Sequence, residues 1–351
     1  MKYILTSLSM FTLMGLSISA DNTILEKLYE DSVNIKILES ELDTLEEDLD
    51  DLSSQRSRIK NNNERGAAKS YSEYLVKARF EDKKVERKID DKKEDIATTK
   101  KNIEHNLFEY TIAVKEEEKA YSIKLGEYEN LYSLFKITEK KFKQGSISEM
   151  EYNDEYIKIK EFENEVKKAE RTLEYEALNY KFFMGLDYDS EVELIDINIE
   201  ILEPKELNEI YEMKILKDEN LNNLQNDLNI NVDEEKYVKA YYGKNEAKHI
   251  SIINTIEKLK LQIDERKRSL YIESYNDFME YKNMYEEYLL LKEKSNILEE
   301  KYRLKKLQYE KGLVSVFELI EEAENYINEQ ISFESKKNNL YLKMNKIENN
   351  I

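Results

Sequence analysis

Side chains equipped for catalysis or metal binding are few and scattered in this sequence. His105 and His249 are the only two histidines among 351 residues, and cysteine is absent. That excludes thiolate nucleophiles, disulfides, thiolate metal sites and a lipid-modified N-terminal cysteine. The histidines lie in different regions with no ligand spacing between them. Each is expected on a helix surface, and no metal or cofactor is expected. No nucleophile elbow, phosphate loop or dinucleotide fingerprint occurs. The carboxylates recur at helical surface spacing among lysines, the pattern of solvated ion pairs rather than of an acid–base couple. These residues point away from an enzyme and toward a non-catalytic role.

Composition indicates the elements that would carry such a role. Seven glycines and one proline leave little turn chemistry, so many short strands are disfavoured, while abundant Glu, Lys, Leu and Ile favour long helices. Residues 1–20 read as a secretory signal peptide: basic Met1-Lys2, an apolar run from Tyr3 to Leu16, and small Ser19-Ala20 before the cut. No later stretch approaches the roughly 18 apolar residues of a membrane-spanning helix. A net charge of −20 repels nucleic acid and anionic lipid, so no nucleic-acid partner is expected.

The chain is written twice. Adding 167 to a position in the first half finds its counterpart: Ile89, Ile96 and Ile103 become Ile256, Ile263 and Leu270, Leu131 becomes Leu298, Phe135 and Phe142 become Tyr302 and Tyr309. Gly145 maps to Gly312 and Ser148 to Ser315, with no gap needed. Such a repeat fixes architecture before any local detail. Within each copy apolar residues recur every seven: Leu107, Val114, Tyr121, Tyr128, Phe135 and Phe142 in one row, Ile89, Ile96, Ile103 and Tyr110 in another. That is a coiled-coil seam. Rows Tyr152, Ile159, Val166, Leu173, Tyr180 and Leu319, Tyr326, Phe333, Leu340, Ile347 predict a returning helix after each turn.

The turns have their own signals. Lys140, Lys141 and Lys143 suit a helix C-terminus, Gly145 supplies the left-handed residue that ends it, and Ser148 with Glu151 forms a capping box for the return. Lys311, Gly312, Ser315 and Glu318 repeat the device. Elsewhere, a leading helix is expected from about Ile24 to Ile59, with a breaker at Asn61 to Gly66. A second opening helix is expected with Pro204 in its first turn, fading around Asn229 to Gly243. The alternation Ile197, Ile199, Ile201 against Asp196, Asn198, Glu200 predicts one short strand. The fold class is all-α, two tandem antiparallel coiled-coil hairpins with at most that β segment between them. The divisions are 1–20 signal peptide, 21–202 first repeat with linker 185–202, and 203–351 second repeat. Many of the 26 tyrosines fall on seams, as Tyr281, Tyr288, Tyr302 and Tyr309 do, where an aromatic body with a polar tip suits a half-wet wall.

Phe142-Lys143-Gln144-Gly145-Ser146-Ile147-Ser148 and Tyr309-Glu310-Lys311-Gly312-Leu313-Val314-Ser315, one repeat apart, resemble the two hairpin tips of the TolC family of outer-membrane export ducts. Phe182-Phe183-Met184-Gly185-Leu186 is similar to that family's helix end before its mid-chain linker. The resemblance implies a homotrimer whose six hairpins close a twelve-helix tube in the periplasm, docking a periplasmic adaptor and an inner-membrane pump. On that mapping Gly145, Ser146, Ile147, Ser148, Gly312, Leu313, Val314 and Ser315 face the adaptor. Glu318 and Glu321 match acidic residues that ring the family's inner mouth, where a carboxylate ring attracts cations and resists closure. The family also inserts two strands per repeat as an outer-membrane barrel. The corresponding places, Asn61 to Arg79 and Asn229 to His249, offer only Tyr71–Tyr74 and Tyr237–Tyr242 among Lys, Glu and Asn. Outer-membrane insertion is therefore not expected from those segments. Two other readings are a non-conducting structural protein of the envelope and a periplasmic adaptor. The adaptor reading lacks the lipoyl-like and barrel segments it needs.

Overall fold

A computed structural model describes residues 22–61, 68–191, 193–242, 244 and 246–349. The expected signal peptide and the breaker after Asn61 lie outside the described residues. Among the described residues eight helices follow one another: α1 (Asn22–Asp31), α2 (Val33–Asn61), α3 (Ala68–Lys143), α4 (Glu149–Phe183), α5 (Leu207–Lys217), α6 (Glu219–Tyr242), α7 (Ala247–Glu310) and α8 (Val316–Asn349). Among the described residues there is no strand, and the class is all-α with two antiparallel hairpins, α3–α4 and α7–α8.

The two long rods set the plan. At about 1.5 Å per residue α3 reaches about 115 Å and α7 about 95 Å. Toward the tips, α4 packs on α3, α8 on α7, and α8 also on α3. Toward the opposite pole, α2 replaces α4 beside α3, and α6 replaces α8 between α3 and α7. Each half of the molecule is thus a layer four helices wide, with α2 and α4 along one edge and α7 along the other.

The cores follow the heptad rows. Near the tips, Leu131 and Phe135 of α3, Ile159, Phe162 and Val166 of α4, and Val316, Leu319, Ile320, Ala323 and Ile327 of α8 form one cluster. Both hairpins therefore share a core and point the same way. Residues 167 apart sit in like settings: Ile89 is a core residue and Ile256 packs against a core cluster, and Gly145 and Gly312 share φ 72°.

Several expectations need correction. The stretch from Glu193 to Ile201 is not a strand. Its alternation is real, since Ile195 is buried and Ile197, Ile199 and Ile201 pack on helix clusters. The backbone lies extended across helices, where side chains take carbonyls that a partner strand would have taken: Tyr180 Oη donates to Glu193 O at 3.0 Å, and Tyr281 Oη to Leu202 O at 2.7 Å. Pro204 is not in a first turn, because α5 starts at Leu207 behind N-cap Glu206. The opening helix does not fade at Asn229 but continues to Tyr242. Between α5 and α6 the chain breaks at Asp218, whose Oδ1 caps Leu221 N at 2.7 Å and which Arg266 of α7 clamps with two bonds of 3.1 and 2.7 Å. The leading helix breaks once, at Ser32, whose hydroxyl accepts from Ile35 N. Both histidines are buried rather than on the surface. His105 fits between Asn345 and Glu109, and His249 between Lys244 and Glu235, so hydrogen bonds offset the burial of each ring.

Candidate docking tips and open edges

Each tip is built by the same local chemistry. In the first, Gly145 N donates to Phe142 O at 2.9 Å and Ser146 N to Lys141 O at 2.8 Å. In the second, Gly312 N donates to Tyr309 O at 2.8 Å and Leu313 N to Gln308 O at 2.9 Å. This double closure requires a left-handed residue at the glycine. The same closure ends α4 at Gly185, φ 63°. The return helices start on capping boxes. Glu151 N donates to Ser148 Oγ at 3.2 Å while Ser148 N donates to Glu151 Oε2 at 2.8 Å, and Ser315 with Glu318 does the same at 3.2 and 2.9 Å.

Gly145, Ser146, Ser148, Gly312, Leu313 and Ser315 are exposed, and Ile147 and Val314 half-buried. A Cβ added at either glycine would meet nothing within 4 Å. The glycines are thus required by backbone conformation, not by crowding within the chain. Gly145→Ala and Gly312→Ala are each expected to lower unfolding stability by about 1 kcal/mol through the left-handed backbone alone, checked by denaturant titration.

The tips are not level. Glu155 of α4 lies against the backbone N–H of Val316, the first residue of α8. The first hairpin therefore projects beyond the second by about 9 Å, six residues of helix. Glu155 is half-buried, and burial raises its carboxyl above the usual range against the pull of the Thr138 hydroxyl and Lys141. Its Oε2 has no hydrogen-bond partner.

Glu318 and Glu321 are exposed, one turn apart on α8. Glu318 is committed locally. The Ser315 backbone N–H holds its carboxyl below the usual range, with help from Lys305 at 3.8 Å. Glu321 faces Lys158 of α4 across the α4–α8 junction, with Glu324 beside it one turn along α8.

The edges of the layer carry a signal that the repeat analysis passed over. On α7, Leu290, Ile297 and Leu304 recur every seven residues and are exposed, beside an exposed row of Glu286, Glu293 and Glu300. On α4, Met150, Ile157 and Leu178 are exposed along a row that includes Arg171, next to exposed Lys160 and Lys167. Each edge is half of a coiled-coil seam flanked by charges of both signs, since Lys160 and Lys167 pair with Glu163 on α4 and Glu300 pairs with Arg303 on α7. At mid-height, Phe182 is 87% exposed and Leu216 77%.

Comparison with solved structures decides the architecture. The chain aligns over 93% of its length with the CmeC outer membrane channel of Campylobacter jejuni, covering 84% of that chain with a TM-score of 0.61 at 10% identity. It aligns over 93% of its length with the outer membrane protein VceC of Vibrio cholerae, covering 95% of that chain, with a TM-score of 0.63 at 8% identity. For the open state of the MtrE outer membrane channel of Neisseria gonorrhoeae the coverages are 93% and 88%, with a TM-score of 0.61 at 9% identity. The fold is that of the TolC-like outer-membrane channels. No protein-family profile matches the sequence, and comparison with curated proteins finds no match. The TolC-like fold is therefore carried by heptads and turns rather than by residue identity. It is realised here without strands among the described residues: Tyr71–Tyr74 lies within α3 and Tyr237–Tyr242 within α6.

Proposed function

We propose that this chain is the wall subunit of a passive, trimeric export duct of the cell envelope, delivered by its signal peptide and serving efflux or secretion of polypeptides. Three copies, each four helices wide, close a twelve-helix tube by pairing α4 of one with α7 of the next. The observation that carries this reading is the pair of open apolar heptad edges on one layer. Unlike edges join head to tail, and such a contact closes into a ring when the rotation between copies divides the full circle. The tube itself is not an enzyme. An inner-membrane pump supplies energy and substrate choice, and a periplasmic adaptor meets the tips at Gly145 to Ser148 and Gly312 to Ser315.

Because the tips are staggered, the adaptor meets two heights of wall, and a Cβ at a tip glycine hinders it in a way the free chain does not feel. Cysteines at Ser146 and Leu313 are unambiguous probes in a chain with none of its own. Cross-linking to an adaptor hairpin in envelopes supports docking, and failure beside a proven adaptor retires it. Glu318 and Glu321 then line the inner mouth as three pairs of carboxylates. Glu318→Gln with Glu321→Gln is expected to reduce cation preference and ease closure, and unchanged conductance would remove the gate role.

A second reading, a non-conducting structural protein of the envelope, is favoured by the helices α3 and α6 where the family's barrel strands would fall. Conductance of the assembled protein separates the two readings.

A further inference from the structure

The turn between α6 and α7 lies at the pole opposite the tips, a full α7 length of about 95 Å away. His249 is the third residue of α7, where the helix dipole disfavours a cation. Its side chain is nevertheless only 5% exposed and contacts two acceptors. Nδ1 lies 2.7 Å from the carbonyl oxygen of Lys244 in the turn, and Nε2 lies 2.7 Å from Oε1 of Glu235 on α6. A carbonyl and a carboxylate only accept. A neutral imidazole has one N–H and would present a bare lone pair to one of them at hydrogen-bond distance. The doubly protonated ring donates to both.

One cation of the surroundings competes for this pairing, and the others are engaged elsewhere. On α6, Lys239 approaches the same Glu235 oxygen at 3.8 Å, and Lys236 pairs with Asp233 at 3.0 Å. From α3 come the Phe80 ring, packed with Val238 and Ile252, Lys83 over that ring, and Lys84, which pairs with Glu234 at 3.0 Å. The cations of α3 thus have partners other than Glu235.

We infer that His249 is a proton-held staple closing the α6–α7 turn, fastened while its ring carries two protons and released when it loses one. The Glu235 bond, then the Lys244 carbonyl, raise the imidazole above its ordinary 6.5, against the opposing effect of burial. Glu235 in turn sits below its ordinary 4.5, chiefly through His249. For a group raised on folding, stability is fully present below 6.5 and is lost as pH climbs through the folded value. For Glu235 stability is present above 4.5 and is lost as pH falls through its depressed value. The staple is complete between those limits and opens on the alkaline side. The pole opposite the tips therefore carries a histidine closure, and the tips hold no histidine.

The test is a ring-proton NMR titration of the full mature chain, with the His249 line assigned as the one lost in His249→Gln. The wild-type midpoint should lie above 6.5 and fall by about one unit or more in Glu235→Gln. Hydrogen exchange over residues 237–252, corrected for intrinsic rate, should accelerate as pH passes the wild-type midpoint. In Glu235→Gln that acceleration should come at lower pH. A wild-type midpoint at or below 6.5, or turn protection that stays constant across it, overturns the staple without bearing on the duct.

Discussion

Leu290→Glu combined with Ile297→Glu is expected to leave a folded monomer and abolish assembly. The two side chains are 64% and 51% exposed in the single chain, so charging them removes no internal packing. In the proposed ring each is buried against α4 of the neighbour. Burying a side chain of this size contributes about 1.5–3 kcal/mol, so each of three interfaces loses about 3 kcal/mol or more. The new carboxylates also join the Glu286, Glu293 and Glu300 row, adding repulsion along the seam. Light scattering should show the trimer replaced by monomer at concentrations about 100-fold above the wild-type midpoint. Circular dichroism should show the helix content kept. Retention of the trimer would place the contact elsewhere on the layer.

Arg266→Ala is expected to be among the most destabilising single changes in the chain. Asp218 is 5% exposed, occupies the break between α5 and α6, and caps the N-terminus of α6 while both its oxygens accept from the guanidinium. Arg266 also donates to Glu273 at 2.8 Å. Removing the cation leaves a buried carboxylate with a capping bond but no counter-charge, a loss of about 3–5 kcal/mol. Partial exposure of the guanidinium puts the expected value near the lower figure. Arg266→Ala with Asp218→Asn should recover part of the loss, because the amide keeps a cap acceptor without the buried charge. Urea unfolding of the two variants measures this directly, and equal midpoints would show that the unpaired charge is not the cause.

Much of the fold was legible in the sequence because its determinants are local and periodic. Seven-residue rows specify which face of α3, α4, α7 and α8 is covered, and glycine with a capping box specifies where each rod turns. The errors arise where tertiary contacts replace local rules. The alternation around Ile197 reads as a strand because period two says only that one face is buried. Helix surfaces, not a sheet, bury it, and Tyr180 and Tyr281 supply donors from afar. The α5–α6 break turns on Arg266, 48 residues from Asp218, which no window of sequence connects. The histidines were misplaced for the same reason, since Asn345 and Glu235 are partners only in three dimensions. At the candidate site the residues were correctly located on the turns. Their stagger was not foreseen, because a repeat of 167 fixes equivalence and not height. The open edges were legible as heptad rows on α4 and α7, but a row alone does not say whether its partner is in the same chain.

The central claim is that a second copy of this chain covers α7 along its Leu290, Ile297 and Leu304 row. A photo-reactive phenylalanine placed at Leu290 tests it without assuming a register. The duct account predicts bonds to α4 of another copy, located by peptide mass, and a ladder that ends at the covalent trimer. Bonds confined to the same chain, bonds from α7 to α7, or a ladder extending past three would contradict it.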